Sequence, residues 1–576
     1  MVIGVHSAKF TSEQVTANIR EAVLRHEIRH PVVNDAGYAI WQAYSVRAWP
    51  TVVLIDPAGK IVDTQAGEIE ANDYILVIEN LIAEFEAQGQ LDRSPLDLIA
   101  EATFEPLRPL NYPSRICFAP GGRLFVADTG HHRILELGLD EDGQAAEVAR
   151  VFGSGQPGLN DGLADQAQFH SPRGMAFLHD TLYIADTDNH AIRAIDLSSG
   201  DVRTVAGTGQ KGNRSFDGGA PDKIALRSPW ALLAIDEATE DGKTVLFIAM
   251  AGSHQLWLLL DEEKLGVFAG NGREALVDGT LAEASFNQPS DLTLAMNHLL
   301  VADAEASAVR AISLGEDVRV FTLVGQGLFE FGDIDGNGAE VRLQHPTGIT
   351  FYDGLEVAVP TIYIADTYNH KIKSLDPSVG TVRTLIGVGL PGRKDGSFEQ
   401  AELYHPEGVS VQEGKLYILD TNNHLIRVAD LQKRQVSTLS IRGLERLQAA
   451  KRAEKQPERL ETVAVAPGRS SIILDLQLPA GYKLNPEAPI TVRQPIDENE
   501  EIYTFTSNEP VMVSFVADGD FELPLEVTVY YCESEDERLC LISDQHLVLP
   551  VEVNKMAPAQ AVLQLAVATL DEEIRK

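Results

Sequence analysis

The stretch Tyr363-Ile-Ala-Asp-Thr-Tyr-Asn-His370 decides the fold, because related stretches return through the middle of the chain. Each joins a short apolar run to a small turn, and five of the six carry an aspartate at the junction. The junctions are Asp128, Asp186, Met250, Asp303, Asp366 and Asp420, which lie 58, 64, 53, 63 and 54 residues apart. A repeat of this length suits one four-stranded propeller blade. The sequence therefore predicts a mainly β fold containing six blades.

The repeated aspartate and histidine side chains could form a polar ring that holds a metal or a ligand. Each aspartate, however, stands where a strand turns, and such side chains commonly bond to nearby backbone groups. We therefore interpret the set as structural turn residues and predict no metal or cofactor. The set is Asp128, His132, Asp186, His190, His254, Asp303, Asp366, His370, Asp420 and His424.

A cation recurs seven residues after the aspartate in several copies. The positions are Arg193, Arg310, Lys373 and Arg427. They could form a basic ring, but at one per blade we expect them to pair with neighbouring carboxylates, as surface ions do.

Glycine pairs followed by Asp-Gly recur between the copies. Examples are Gly207-Thr-Gly…Asp217-Gly218, Gly270-Asn-Gly…Asp278-Gly279 and Gly387-Val-Gly…Asp395-Gly396. With these residues, the span from about Asn111 to Leu444 resembles a six-bladed NHL propeller. The third copy lacks Asp-Thr and the fourth lacks Asn-His, so we expect those two blades to present a different surface.

Residues 1–94 alternate between strand and helix patterns and resemble the later part of a thioredoxin-like domain. The stretch Val46-Arg-Ala-Trp-Pro50-Thr stands where that family carries a cis-proline loop, so we expect Trp49–Pro50 to be cis. Such domains carry a central strand and a Cys-x-x-Cys ahead of the region that starts here at Met1, and residues 1–116 contain no cysteine. We therefore expect the natural chain to begin upstream, with this domain only partial.

The carboxyl-terminal part divides into a charged, helix-prone linker at 445–459, short alternating strands at 460–553, and a tail or helix at 554–576. The strands predict a small β-sandwich. Val527-Thr-Val-Tyr-Tyr-Cys532…Cys540 resembles the amino-terminal domain of the interchange protein DsbD. With the propeller at 95–444, the whole chain resembles the NHL repeat-containing protein 2 family.

Cys532 and Cys540 are the candidate redox pair, because seven residues separate two strands that are expected to pair. The acidic loop between them would raise a thiol pKa and slow attack, so a structural or idle pair stays open. A metal site is disfavoured, since only His546 lies near this Cys-x7-Cys spacing. Cys117 lies in an apolar strand and is interpreted as packing.

Composition excludes several classes of function. The 576 residues are 44% hydrophobic, but no apolar run is long enough to cross a membrane. The net charge of −38 repels phosphate backbones, so we expect no nucleic-acid partner. Three cysteines and no secretory pattern at Met1 predict a cytoplasmic protein.

Two hypotheses follow from the sequence. The first is an interaction scaffold whose propeller binds a protein partner or a small ligand on one face. The second is a thiol–disulfide oxidoreductase that uses Cys532 and Cys540 with a lost or separate Cys-x-x-Cys. The missing thioredoxin motif favours the first, non-enzymatic hypothesis. A hydrolase or lyase would need a nucleophile and base or converging metal ligands, and the spacing shows neither.

Overall fold

The computed structural model describes most of the chain, and strands dominate it. The described residues are 1–67, 72–91, 93, 108–213, 218–239, 242–354, 357, 359–444, 447, 458–478, 482–484, 490–496, 499–506, 509–533 and 540–567.

The described part of the amino-terminal domain contains two separate two-stranded sheets and three α-helices. Its elements are β1 (Gly4–His6), α1 (Thr16–Arg25), β2 (Val32–Asn34), α2 (Ala39–Ala43), β3 (Thr51–Ile55), β4 (Ile61–Ala66) and α3 (Asn72–Ala87). β1 and β2 pair in parallel, whereas β3 and β4 form an antiparallel hairpin. The Trp49–Pro50 peptide bond, just before β3, is cis.

Six sheets of one design follow, each of them a blade. Blades 1 and 2 contain β5 (Pro113–Ala119), β6 (Arg123–Asp128), β7 (Arg133–Leu139), β8 (Ala145–Phe152), β9 (Pro172–Leu178), β10 (Thr181–Asp186), β11 (Ala191–Asp196) and β12 (Val202–Ala206). Blade 3 contains β13 (Pro229–Ile235), β14 (Val245–Met250), β15 (Gln255–Leu260) and β16 (Lys264–Ala269).

Blades 4 to 6 gain a short fifth strand from the connector that precedes each of them. Blade 4 contains β17 (Gly279–Thr280), β18 (Pro289–Ala295), β19 (His298–Asp303), β20 (Ala308–Ser313) and β21 (Arg319–Val324). Blade 5 contains β22 (Gly336–Asn337), β23 (Pro346–Tyr352), β24 (Thr361–Asp366), β25 (Lys371–Asp376) and β26 (Thr381–Ile386). Blade 6 contains β27 (Gly396–Ser397), β28 (Pro406–Gln412), β29 (Lys415–Asp420), β30 (Leu425–Asp430) and β31 (Gln435–Thr438).

The blades form a closed propeller. The first long strand of each blade contacts that of the next, and β28 of blade 6 returns to β5 of blade 1. At this closure β32 (Ser440–Arg442) also adds in parallel to β8, the outer strand of blade 1. We call the first long strand of each blade its inner strand. The inner strands pack so closely that a Cβ at Gly348 would lie 2.0 Å from the Glu407 carbonyl oxygen. Only glycine permits this approach between blades 5 and 6.

The carboxyl-terminal domain is a β-sandwich. Its strands are β33 (Glu458–Arg459), β34 (Val463–Val465), β35 (Gly468–Gln477), β36 (Tyr482–Leu484), β37 (Ile490–Ile496), β38 (Asn499–Phe505), β39 (Val511–Ala517), β40 (Phe521–Glu533), β41 (Cys540–Val553) and β42 (Gln560–Ala566). A sheet built on β40 and β41 faces the three-stranded sheet β39-β35-β42, and one apolar core lies between them.

The expectation of a tail or helix over 554–576 is wrong for the described part of that segment. β42 pairs in parallel with β35, and Leu565 is buried in the sandwich. Burial alternates along β42 with the period of a strand, but the apolar residues do not, because the exposed Val562 stands between Ala561 and Leu563. Residues 568–576, and nearly all of the linker expected at 445–459, lie outside the described residues.

Candidate functional site

In every blade except blade 3, the repeated aspartate holds the start of the first long strand. One carboxylate oxygen accepts a hydrogen bond from the backbone N–H two residues before the blade's first proline. The donor–acceptor pairs are Asn111 to Asp128, His170 to Asp186, Asn287 to Asp303, Gln344 to Asp366 and Tyr404 to Asp420, at 2.6 to 2.7 Å. These aspartates are completely buried. Their role in these contacts is structural.

The recurring cations are buried, so the expectation of surface ions is wrong. Arg193, Arg310, Lys373 and Arg427 are each 0% exposed. Arg193 donates to its own repeat aspartate, Asp186, at 2.9 Å and to Asp161 of the preceding connector at 2.7 Å. Asp161 also accepts from the backbone N–H and the hydroxyl of Thr204 in the fourth strand. A single cation therefore ties together three parts of one blade.

The bridge from a buried cation to carboxylates recurs, with small changes, in blades 4, 5 and 6. The remaining links are Arg310 to Asp303 and Asp278, Arg427 to Asp420 and Asp395, and Lys373 to Asp335. Burial raises the pKa of Asp186, Asp303 and Asp420 to about 6. In each case the paired arginine opposes that shift, so these carboxylates are mostly ionised at neutral pH.

The repeated histidines join one blade to the next. In each pair, the ring Nδ1 accepts a hydrogen bond from the backbone N–H of the residue that precedes the next blade's proline. The donor–acceptor pairs are Ser171 to His132, Ser228 to His190, Gln288 to His254, His405 to His370 and Tyr112 to His424, at 3.0 to 3.2 Å. We call this contact the histidine latch. Its last member joins blade 6 to blade 1 and so helps to close the ring.

The latch requires a neutral imidazole, because a protonated ring has no acceptor nitrogen. Burial lowers the pKa of His370 to about 4 and that of His424 to about 3. Blade 4 has Ser307 at the corresponding position, and its hydroxyl accepts from the His345 backbone N–H at 3.3 Å. The chemistry of the latch is therefore hydrogen-bond acceptance, which serine can also provide.

Charged side chains fill the centre of the propeller at the end where the motif turns lie. Arg115 donates to backbone carbonyls of Ser290 and Thr347, which belong to blades 4 and 5. Arg173 donates to Glu407 at 3.0 Å, and its guanidinium lies 4.5 Å from the Trp230 ring centre. Side chains from the inner strands thus bridge the central channel.

The amino-terminal domain covers this end of the channel, which we call the covered face. Arg25, at the end of α1, donates to Glu407 at 3.0 Å. Burial acts to raise the pKa of Glu407, but the charges of Arg173, Arg25 and Arg115 outweigh it, and the pKa lies below its usual value. The carboxylate therefore remains charged and joins the two domains.

Further polar contacts extend the docking across several blades. They are Lys9 with Glu305, the Thr11 backbone N–H with Gln344, Ser12 with His405, Tyr404 with Asn18, Tyr112 with Glu21, and His132 with Glu27.

Burial, and then the charge of Arg25, lowers the pKa of His26 to about 4. The docked helix thus brings a neutral histidine beside charged groups.

Aromatic packing reinforces this docking. Phe10 lies edge-on to the rings of Phe331, His345 and Tyr368, with centroids 4.8 to 5.5 Å apart. His345 stacks on Tyr368 at 4.4 Å with an interplanar angle of 13°. Phe10 is 1% exposed, so it forms part of a shared core between the two domains.

The cysteines occupy two different environments. Burial raises the pKa of the Cys117 thiol to about 12, in keeping with a packing role. The backbones of Cys532 and Cys540 stand directly opposite each other in the β40–β41 ladder. Opposed Cα atoms in an antiparallel pair lie about 4.5 to 5.5 Å apart, which a disulfide can span. The side chains of both residues, and residues 534–539, lie outside the described residues.

Among the described residues, no group of three or more His, Cys, Asp or Glu side chains could hold a metal ion. Within the same part of the chain, no helix is long and apolar enough to cross a membrane.

The repeat architecture has clear relatives. The NHL repeat family model matches residues 110–137 and 403–429. NHL repeat-containing protein 2 of Bos taurus is 36% identical over 609 residues, covering 96% of this chain and 82% of the relative. The chain belongs to this family. The Homo sapiens member of the NHL repeat-containing protein 2 family is 34% identical over 607 residues, with coverage of 96% and 82%. Protein SUPPRESSOR OF QUENCHING 1, chloroplastic, of Arabidopsis thaliana is 34% identical over 604 residues, covering 98% of this chain and 56% of the relative.

For this NHL repeat-containing protein 2 family member, the sequence interpretation missed the charged centre of the propeller. Arg173 and Glu407 each follow the proline that begins an inner strand, and Arg115 stands two residues after its proline. A charge inside an otherwise apolar inner strand is the signal that could have identified them. Arg25 carried no such signal, because it lies on a helix whose contacts depend on domain docking.

Proposed function

We propose that this chain is a protein-interaction scaffold in which the amino-terminal domain and the propeller act as a docked pair. The observation that supports this proposal is that the amino-terminal domain occupies the covered face. Arg25 meets Glu407 there, and Arg115 and Arg173 bridge the inner strands. A ligand approaching the channel through the covered face would have to displace the domain and separate buried charges, which costs several kcal/mol. A partner is better accommodated on a surface that is already open.

The opposite end of the propeller, which we call the hairpin face, carries exposed residues in its described turns, among them Asn297 and Glu413. The inner strands begin at the covered face, so the turns between first and second strands lie at the hairpin face. Loops on a rigid scaffold are common binding elements. The net charge of −38 disfavours nucleic acid as the partner and leaves proteins or small ligands. We propose the cytoplasm as the compartment; one relative is named as chloroplastic.

Site-specific photocrosslinking in cells tests this proposal. A photoreactive amino acid replaces Asn297 or Glu413, which are exposed in hairpin-face turns of blades 4 and 6. A matched control replaces Lys394, which is exposed on a connector at the other end. We expect the same discrete protein adduct from both hairpin-face positions and not from Lys394. Adducts from Lys394 alone, or from none of the three, would contradict the proposal.

A second candidate function is thiol–disulfide exchange by Cys532 and Cys540. The opposed register of their backbones favours it, because that register brings two cysteines within the span of a disulfide. The test labels the folded protein with a thiol-specific mass tag in glutathione buffers from fully reducing to fully oxidising. We expect the labelling of the two cysteines to fall together as the buffer becomes oxidising. Unchanged labelling across the whole series would eliminate this candidate.

A further inference from the structure

A lysine stands directly opposite Cys532 on the neighbouring strand, β36. β36 pairs with β40 in antiparallel register, and Lys483 stands directly opposite Cys532. On its other side, β40 pairs with β41, where Cys540 stands opposite Cys532. Lys483, Cys532 and Cys540 therefore occupy one row across three adjacent strands. Directly opposed residues of an antiparallel sheet share a face, with Cβ atoms about 4.5 to 5.5 Å apart.

The register also identifies the face. Tyr482 and Leu484, on either side of Lys483, pack against the apolar core of the sandwich. Successive residues of a strand alternate between faces, so Lys483 has the outer parity. Lys483 therefore lies on the face of the sheet that is turned away from the core.

We propose that Lys483 is a positioning residue that makes Cys532 the attacking thiolate of the cysteine pair. The inference rests on the second candidate function, thiol–disulfide exchange. An ammonium group near a thiol favours the thiolate, and the thiolate is the nucleophile. Among the described ladder positions, Cys540 has no cation opposite it, because its partner in β40 is Cys532.

The exchange balances with a partner protein that carries a disulfide. The Cys532 thiolate attacks one partner sulfur, a mixed disulfide forms, and the partner's other sulfur leaves as a thiolate. The Cys540 thiolate then attacks the Cys532 sulfur, and the partner's second thiolate leaves. The partner gains two electrons and the Cys532–Cys540 pair loses two. The acidic loop is predicted to raise the thiol pKa, whereas Lys483 would lower that of Cys532. The test is therefore a comparison of the reactivity of Cys532 with that of Cys540.

Pulsed alkylation of the reduced full-length protein tests the proposal. Iodoacetamide is applied from pH 6 to 10, and peptide mass spectrometry reports Cys532 and Cys540 separately. We expect Cys532 to titrate at lower pH than Cys540. Lys483→Met should slow alkylation of Cys532 at pH 7 by roughly three- to tenfold, whereas Lys483→Arg should retain the rate.

Arg493→Met is the matched control. Arg493 stands opposite Glu526 in the same sheet, six residues along β40 from Cys532, so its loss should leave the alkylation rate unchanged. Equal titration of the two cysteines, or a Lys483→Met rate equal to that of the parent protein, would overturn the inference. If Lys483 shifts the reactivity but no disulfide forms in oxidising glutathione, the exchange function fails while the effect of Lys483 on Cys532 stands.

Discussion

Blades 2 and 3 fill equivalent buried positions with different kinds of side chain, charged in blade 2 and apolar in blade 3. In blade 2, Arg193 stands opposite Ile184 and pairs with Asp186. In blade 3, Trp257 stands opposite Ile248, and Met250 replaces the aspartate. Trp257 and Met250 are each 1% exposed and belong to one apolar cluster. A buried ion pair and an apolar pair therefore fill equivalent positions, which indicates that the repeat aspartate serves structure.

The largest expected effect comes from breaking the ion pair on one side only. Arg193→Ala leaves Asp186 buried without its cation and removes the bond to Asp161. Loss of one partner of a buried pair costs about 3–5 kcal/mol. Urea unfolding followed by fluorescence should show this decrease in the free energy of unfolding. A decrease below about 1 kcal/mol would mean that the blade 2 pair is not a structural bridge.

Transplanting the blade 3 solution into blade 2 should cost less. The variant Asp186→Met/Ala191→Gln/Arg193→Trp copies three equivalent residues, including Gln255, which accepts from the Trp257 indole N–H in blade 3. We expect a loss of about 1–3 kcal/mol, smaller than that of Arg193→Ala, because replacement of a buried ion pair by apolar groups is often tolerated. The same urea titration measures it. A larger loss than in the single variant would refute the equivalence of the two blades.

Separation of the docked domains should have a smaller effect, because the charge cluster is redundant. Arg25→Ala removes one cation from Glu407, but Arg173 stays at 3.0 Å. We expect a local loss of about 1–2 kcal/mol. Hydrogen exchange of the α1 amides should accelerate, while the inner strands of the propeller keep their protection. Unchanged exchange in α1 would show that Arg25 contributes nothing to docking.

The last expected effect is absent at neutral pH and concerns the pH dependence of the latch. The unfolded His370 titrates near 6.5, whereas burial lowers its folded pKa to about 4. Between those values the unfolded state binds more protons, so this histidine's contribution to stability falls as the pH drops from 6.5 to 4. His370→Ser copies Ser307 of blade 4 and should reduce the slope of stability against pH by at most about 1.4 kcal/mol per pH unit.

The measurement for His370→Ser is the difference from the parent protein at several pH values in that window. Taking the difference removes the contributions of groups whose titration does not depend on His370, which excludes His405 because its ring stacks on that of His370. Parallel curves for the two proteins would mean that the neutral imidazole is not needed for the latch.

Much of the fold was accessible from local pattern. The spacing of Asp128 to Asp420 predicted the six blades, and the propeller is confirmed. The aspartate was interpreted as a turn residue, and the structure places it at the end of a strand with backbone bonds. The position of Arg193 was misjudged, because a recurring cation in sequence does not reveal whether a carboxylate from a distant connector covers it. A charged side chain such as that of Arg193 is expected to be exposed unless a carboxylate pairs with it in the folded protein.

The sequence by itself determined the number of blades and their motif turns, because these features depend on residues close in the chain. It also predicted that the strands of Cys532 and Cys540 pair, as their register shows. Only the tertiary structure decided that α1 covers the channel and that Arg25 meets Glu407, 382 residues away. It also decided that His424 closes the ring onto Tyr112, 312 residues away. These contacts join segments that lie far apart in the chain, so they depend on the packing of the whole ring and of the docked domain.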